Sequence, residues 1–191
     1  MRFSYRWMSE FVKLECSARE LADKLTTAGL EVAECRHRAA GFDKIVVGKV
    51  IEREQHPDSD HLSCCRVDIG SEVLPIVCGA PNVARNQTVA VACIGAVLGE
   101  GFKIKKSKIR GVESFGMICS SKELGLSEDH QGILVLPDDL PAGKKLSEVD
   151  YFDDTIFEVE ITANRGDLLS IRGIAREISA LFQYPLLPLN L

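Results

Sequence analysis

KIVVGKVIERE, residues 44–54, is the point at which the hydrophobic pattern of the chain changes from helix-like to strand-like. Further short runs rich in β-branched residues follow at 62–70, 72–78, 87–94 and 132–137. Gly, Pro, Asn and Asp residues separate these runs, as expected for strands joined by turns. We therefore predict an all-β unit in the middle of the chain.

Helical signals lie on both sides of this unit. Ser17 and Glu20 have the spacing of a capping box, and the helix that they begin should end near Gly29. After the β unit, a strand-like run at 156–162 precedes Asp167. Asp167 resembles an N-cap, because apolar residues at helical spacing follow it.

From this order we predict an α+β chain in which a five-stranded barrel is inserted into another domain. Five short strands suit the oligonucleotide/oligosaccharide-binding (OB) fold. We assign residues 40–151 to this barrel. Residues 1–39 and 152–191 should form a small helical, nucleic-acid-binding-like domain built from both chain ends. The apolar tail at 185–191 leads us to expect that the native chain continues beyond it.

Composition restricts the possible partners. The chain carries 23 Lys and Arg against 28 Asp and Glu, a net charge of −5, so contact with a polyanion needs a local basic patch. No apolar run approaches the roughly 20 residues of a membrane helix, and we expect no membrane association. Seven cysteines without an export signal favour reduced thiols. We therefore expect a cytoplasmic protein.

HPDSDHLSCCRVDIG, residues 56–70, contains side chains that bind metals. If Cys64 and Cys65 lie in a strand, however, they point to opposite faces, and no C-x-x-C pair completes a zinc site. We therefore expect no metal here, although a zinc or redox site remains an alternative that elemental analysis would test. Glycine-rich phosphate loops and the G-x-S-x-G motif are absent from the sequence, so we expect no catalytic residue.

The run FKIKKSKIR, residues 102–110, concentrates positive charge in an otherwise acidic chain. In a strand, Lys103 and Lys105 would share one face, and Lys106, Lys108 and Arg110 the other. Such a patch can bind phosphates in a salt-sensitive way. Lysines also protect an edge strand from unwanted pairing. Composition alone leaves both interpretations open.

Read together, the motifs resemble a known family. HPDSDHL, CRVDIG, IVCGAPN and KIKKSKIRGVESFGMICSSKELGL occur in the order found in the tRNA-binding barrel of stand-alone tRNA-binding proteins, some methionyl-tRNA synthetases and the bacterial phenylalanyl-tRNA synthetase β subunit. The flanks MRFSYRWMSEFV and FEVEITANRGDLLSIRGIAREISAL resemble the N-terminal helical domain of that β subunit. The sequence is thus identified as similar to an N-terminal fragment of this longer subunit.

The resemblance implies a non-catalytic, tRNA-binding part of an α2β2 ligase that attaches phenylalanine to its tRNA with ATP and Mg²⁺. Its partners would be tRNA and the α subunit, which holds the synthetic active site. The fragment itself would need no cofactor. Two alternatives remain, namely a structural or assembly module with little RNA contact and a stand-alone tRNA-binding protein.

The resemblance also implies which residues contact RNA. The phosphate contacts would be Lys103, Lys105, Lys106, Lys108 and Arg110. Ser114, Gly116 and Met117 match the family's S-x-G-M element. Asn82 lies in the GAPN turn, and His61 lies in the loop of residues 56–62. A turn-holding role for Asn82 remains equally open.

The sequence also departs from the family pattern. His61 stands where the family usually has lysine, so the loop lacks one positive charge. Ala163 replaces the usual proline. Aromatic side chains that could stack on bases are few, and Phe102 and Phe115 are the nearby candidates. These departures argue against tight, independent RNA binding.

Overall fold

The computed structural model describes residues 1–99 and 101–188, so the end of the apolar tail, 189–191, lies outside the described residues. The chain divides into two compact units. Ala39–Phe152 form the first, which we call the barrel unit. Met1–Arg38 together with Asp153–Leu191 form the second, which we call the flanking unit.

The helices and strands follow in chain order. The strands are β1 (Arg2–Ser4), β2 (Val32–His37), β3 (Ile45–Gln55), β4 (Ser63–Asp68), β5 (Val73–Cys78), β6 (Thr88–Cys93), β7 (Val97–Leu98), β8 (Phe102–Lys103), β9 (Ser107–Ile109), β10 (Val112–Ser114), β11 (Gly116–Ile118), β12 (Val135–Leu136) and β13 (Thr155–Val159). The helices are α1 (Tyr5–Met8), α2 (Ala18–Thr27) and α3 (Ile171–Phe182). Short 3₁₀ turns lie at Leu146–Glu148 and Gly166–Leu168.

The barrel unit is built on an antiparallel sheet in the order β11-β6-β3-β4-β5, with β12 also paired to β6. The amide of Phe115, just before β11, donates to the carbonyl of Pro75 in β5 at 2.9 Å. This bond connects the two edges of the sheet, at β11 and β5, so the barrel is nearly closed. The predicted α+β class with an OB-like five-stranded barrel is confirmed.

Strand β3 is long and bent, and it pairs with a different neighbour along each half. Its first half pairs with β6, its second half pairs with β4, and the register shifts between Val50 and Glu52. Such a bulge bends the strand and increases its twist. A Cβ at Gly48 would lie 2.5 Å from Val91 and 2.8 Å from Val67, so glycine leaves room for these two side chains inside the barrel.

Two apolar clusters hold the barrel unit. One fills the barrel with side chains from all five main strands, among them Val50, Val67, Ile76, Val91 and Ile118. The other covers the outer face of β3 and β6 and includes Phe42, Ala90, Leu146 and Phe152. Because β6 is buried on both faces, it reads as an unbroken apolar run in the sequence.

The flanking unit combines helices with a three-stranded antiparallel sheet in the order β1-β13-β2. It is therefore less helical than predicted. Residues Ala33 to His37 of β2 are exposed, so this strand lacks the alternating apolar pattern that would have identified it. The core of the unit packs Phe157 against Leu21 and Leu25 of α2 and Ile174 of α3.

The ends of α2 and α3 are set by side-chain caps. The capping box of Ser17 and Glu20 is confirmed, with both reciprocal bonds formed. The predicted N-cap at Asp167 is wrong, because Ser170 accepts the amide of Gly173 and caps α3. Asp167 instead lies in the preceding 3₁₀ turn, where both its oxygens are bound by Arg165. None of the helices in the described ranges is long and apolar enough to cross a membrane.

Candidate nucleic-acid interface

A cleft of about 1110 Å³ opens on the barrel unit beside the ends of β5 and β11. One wall of it comes from parts of residues 101–109, and a second comes from parts of residues 120–133. Between the polar residues of these walls lies an apolar lining that includes Val77, Ile104, Met117 and Ile133, which we call the floor. The sequence did not predict this cleft, because its walls come from segments that are far apart along the chain.

Two loops border this face. Residues 56–62 connect β3 to β4, and residues 94–115 connect β6 to β11. In the OB fold, these two connections and the neighbouring strands form the usual binding face. The second loop contains two small hairpins, β7–β8 and β9–β10, which carry the lysine run. The fold thus brings the basic segment to the position where OB folds bind nucleic acids.

The lysine run divides between two faces. Lys103 and Lys105 line the cleft, whereas Lys106 and Lys108 do not, which agrees with the alternation expected for an extended segment. All four side chains are exposed. Within residues 1–99 and 101–188, Lys103, Lys105 and Lys108 form no ion pair. These three charges are therefore free to meet phosphates.

Lys106 is partly neutralised within the hairpin. Its Nζ lies 2.8 Å from Glu113 Oε1 and 4.5 Å from the centre of the Phe115 ring. The hydrogen bond and positive charge of Lys106 lower the pKa of Glu113 below its usual value. Lys108 faces Glu113 across the β9–β10 pair. One carboxylate thus reduces the positive potential of two lysines.

Arg110 and His56 connect the two loops. Arg110 Nη1 donates to the carbonyl oxygen of Asp58 at 3.0 Å. His56 is buried, its Nδ1 accepts the amide of Asp58 at 3.1 Å, and its Nε2 lies 3.2 Å from the carbonyl oxygen of Ile109. We call this set of bonds the loop clasp. Arg110, a predicted phosphate partner, is thus also used to hold the binding face together.

The S-x-G-M element has a largely structural environment. Ser114 is 1% exposed, and its hydroxyl accepts the amide of Val77 and donates to the carbonyl of Gly116, each at 3.1 Å. A Cβ at Gly116 would lie 2.9 Å from the carbonyl oxygen of Ala92, so glycine allows β11 to approach β6. Met117 is half-buried and lines the cleft. Ser114 and Gly116 line the cleft as well, so all three residues of the element border the space where a ligand would lie.

Asn82 holds two distant segments together. Its Nδ2 donates to the carbonyl of Ile133 at 3.0 Å, and its Oδ1 accepts the amide of Ile133 at 2.9 Å. A Cβ at Gly132 would lie 2.4 Å from Asn82 Oδ1, so the glycine makes room for this contact. The geometry favours the turn-holding role of Asn82 over RNA contact.

The remaining candidates differ in exposure. His61 is exposed in the loop of residues 56–62, but it does not line the cleft. Phe102 is exposed at the cleft wall. Phe115 is half-buried against the barrel core and lies under Lys106. The structure also adds Lys122 and His130 to the cleft, and these lie beyond the basic run that directed the sequence-based prediction.

Cysteine and histidine side chains do not gather into a metal site within the described residues, where no group of three or more suitable ligands is found. Cys64 is half-buried, whereas Cys65 is fully buried in the barrel. Burial raises the pKa of the Cys65 thiol to about 12, which disfavours the thiolate that a metal or a redox reaction needs. All seven cysteines are free thiols.

An OB-like barrel with unpaired lysines beside an exposed cleft defines a nucleic-acid-binding class of domain. Residues 45–145, more than half of the chain, match the family model described as "Putative tRNA binding domain". The chain therefore belongs to this tRNA-binding domain family.

Its similarity extends over the whole chain to one group of proteins. It is 50% identical over 192 residues to the phenylalanine–tRNA ligase beta subunit of Coxiella burnetii, covering 100% of this chain and 24% of that protein. It is 54% identical over 180 residues to the same subunit of Geobacter metallireducens, covering 94% and 22%. The resemblance to the bacterial β subunit is confirmed. The chain spans about a quarter of the length of these relatives.

Among solved structures, the chain aligns in part with the MetRS related protein from Pyrococcus horikoshii at 23% identity. The alignment covers 53% of this chain and 87% of that chain, with a TM-score of 0.41.

Proposed function

We propose that this chain is the N-terminal, non-catalytic, tRNA-binding portion of a phenylalanine–tRNA ligase β subunit. The family match at 45–145 and the whole-chain identity to these β subunits support the proposal. The observation that carries it is the cleft on the OB face, lined by Lys103 and Lys105 and bordered by the loop clasp. Through this face the chain would contribute to ATP-dependent attachment of phenylalanine to tRNA.

The proposal extends to the whole enzyme. Phenylalanine–tRNA ligases in general use ATP and Mg²⁺, and we place both on parts of the enzyme outside this chain. The α subunit is the proposed protein partner in an α2β2 tetramer. The seven free thiols favour a reducing compartment, and we place the protein in the cytoplasm.

Phosphate contact is the physical basis of the proposed binding. Each lysine that neutralises a phosphate releases condensed counterions, so affinity falls as the salt concentration rises. The net charge of −5 opposes approach of RNA from other directions. The basic residues of the loop at 94–115 should therefore determine both affinity and orientation.

The test is tRNA binding by a charge-reversal variant across a salt series. Lys103→Glu with Lys105→Glu and Lys108→Glu should abolish binding at moderate salt, because three unpaired positive charges become negative. The matched control reverses Arg19, Lys24 and Lys49, which are exposed and lie outside the cleft. The control has the same net charge, so it separates a local site from a general charge effect.

Equal binding by the two triple variants would overturn the proposal. One observation favours a second function, since Ser114, Asn82 and Arg110 all make internal hydrogen bonds. The barrel would then be a structural and assembly module. In that case, deleting this region from a full-length subunit should impair tetramer assembly, while the charge reversals leave aminoacylation unchanged.

A further inference from the structure

We infer that the cleft takes unpaired RNA nucleotides and that Phe102 is the platform on which one base stacks. This inference rests on the proposed RNA-binding function and specifies which part of an RNA the site accepts. It assigns a binding role to the β7–β8 hairpin.

The exposure of Phe102 is the first observation. Phe102 is 63% exposed at the cleft wall, and Val97 on the paired strand is also exposed. Lys103 and Lys105 follow in the same wall. An aromatic face next to two unpaired cations is the combination by which proteins bind single-stranded nucleic acids, since the ring stacks on a base and the lysines meet phosphates.

The ring of Phe115, the second aromatic candidate, is already covered by another side chain. Lys106 lies over the Phe115 ring at 4.5 Å, and the ring packs against the barrel core. A base could stack there only by displacing the lysine, which would also break its ion pair with Glu113. Tyr151 is exposed in the barrel unit, but it does not line the cleft. Phe102 is therefore the aromatic side chain that the cleft offers to a base.

The apolar floor discriminates between duplex and single-stranded RNA. A duplex presents phosphates and riboses to a protein and keeps its bases stacked inside. If a duplex pressed its phosphates against Met117, Ile104 and Ile133, the phosphates would lose bound water and gain no hydrogen bonds from these apolar side chains. Such contact is unfavourable. Unpaired bases instead bring apolar faces to this floor. The polar edges of the bases can meet Ser107, Gln131 and His130, which also line the cleft.

The cleft is large enough to hold more than one nucleotide. Pockets that bury a drug-sized ligand usually measure about 300–1,000 Å³. The cleft exceeds this range at about 1110 Å³ and is partly open to solvent. A short unpaired segment would therefore fit, with one base on Phe102 and the next over the apolar floor.

Competition binding tests the inference. The 191-residue chain is titrated with tRNA, with a short single-stranded oligoadenylate and with a blunt RNA duplex that carries the same number of phosphates. The single strand should compete with tRNA and the duplex should compete far less. Phe102→Ala should weaken oligoadenylate binding by roughly 5- to 150-fold, the effect of removing one base–aromatic stack. Phe102→Trp should restore it.

The matched control is Tyr151→Ala, which removes an aromatic side chain of nearly equal exposure, 61%, outside the cleft. It should bind oligoadenylate as the unmodified chain does. A direct readout uses Phe102→Trp in a Trp7→Phe background, because Trp7 is the single tryptophan of the chain. Its fluorescence should be quenched by oligoadenylate and not by the duplex.

The outcomes separate the inference from the proposed function. If tRNA binds and the lysine reversals abolish binding, but Phe102→Ala has no effect and the duplex competes as well as the single strand, the inference fails and the proposed function stands. If the chain binds none of the three RNAs, both fail. If oligoadenylate binding depends on Phe102 while tRNA is not bound, the cleft is a single-strand site and the assignment to tRNA fails.

Discussion

His56 Nε2 lies 3.2 Å from the carbonyl oxygen of Ile109, although the two residues are 53 positions apart in the chain. Because Nδ1 of the same ring accepts the amide of Asp58, Nε2 carries the proton of the neutral ring and donates to Ile109. One histidine therefore joins the two loops that border the OB binding face. It uses both ring nitrogens for structure, which leaves neither for a metal ion.

Removing this histidine should destabilise the barrel unit. His56→Phe keeps much of the side-chain volume but removes the bonds to the Ile109 carbonyl and the Asp58 amide. We expect the free energy of unfolding in urea to fall by about 1–3 kcal/mol. His61→Phe is the control, since His61 is exposed in the same loop, and its effect should stay within about 0.5 kcal/mol. Equal losses in the two variants would contradict the loop clasp.

Asn82 provides a second test of structure against RNA contact. Asn82→Ala removes both hydrogen bonds to Ile133 and should lower the free energy of unfolding by about 1–3 kcal/mol. Under conditions where the variant is fully folded, its tRNA affinity should equal that of the unmodified chain. Asn164→Ala, at an exposed position of the flanking unit, is the control for stability. Weaker tRNA binding at unchanged stability would instead make Asn82 an RNA contact.

Local patterns predicted much of the fold. The β-branched runs located the main barrel strands, because the apolar side chains that form each strand lie within a few residues of one another in the sequence. The Ser17 and Glu20 capping box was readable because both bonds form within four residues. The division of Lys103 and Lys105 from Lys106 and Lys108 followed from strand alternation alone.

What the sequence did not show depends on contacts between distant segments. The bonds from His56 to Ile109 and from Asn82 to Ile133 have no local signature. The cap of α3 illustrates competition between neighbours. Asp167 and Ser170 are both good N-cap residues, but Asp167 is bound by Arg165 and Ser170 caps the helix. Likewise, the burial of Ser114 depends on the closure of the barrel beside β5.

The charge of Glu113 should limit RNA binding by the β9–β10 hairpin. Glu113→Gln removes the partner of Lys106 and the negative charge opposite Lys108. Lys106 then loses its ion-pair partner and Lys108 loses a nearby negative charge, so we expect tRNA affinity to rise by roughly 2- to 10-fold and its salt dependence to become steeper. Because Lys106 lowers the pKa of Glu113, mild acidification should not reproduce the gain.

The matched control for this prediction is Glu52→Gln. Glu52 pairs with Arg66 across β3 and β4, at 3.2 Å and with similar exposure, but neither residue lines the cleft. Both variants change the net charge by the same amount, so general attraction of RNA rises equally in the two. Only Glu113→Gln should add a local gain, measured as the ratio of the two affinities over a salt series. A ratio of one at low salt would show that Lys106 and Lys108 lie outside the RNA interface and would leave Lys103 and Lys105 as its phosphate contacts.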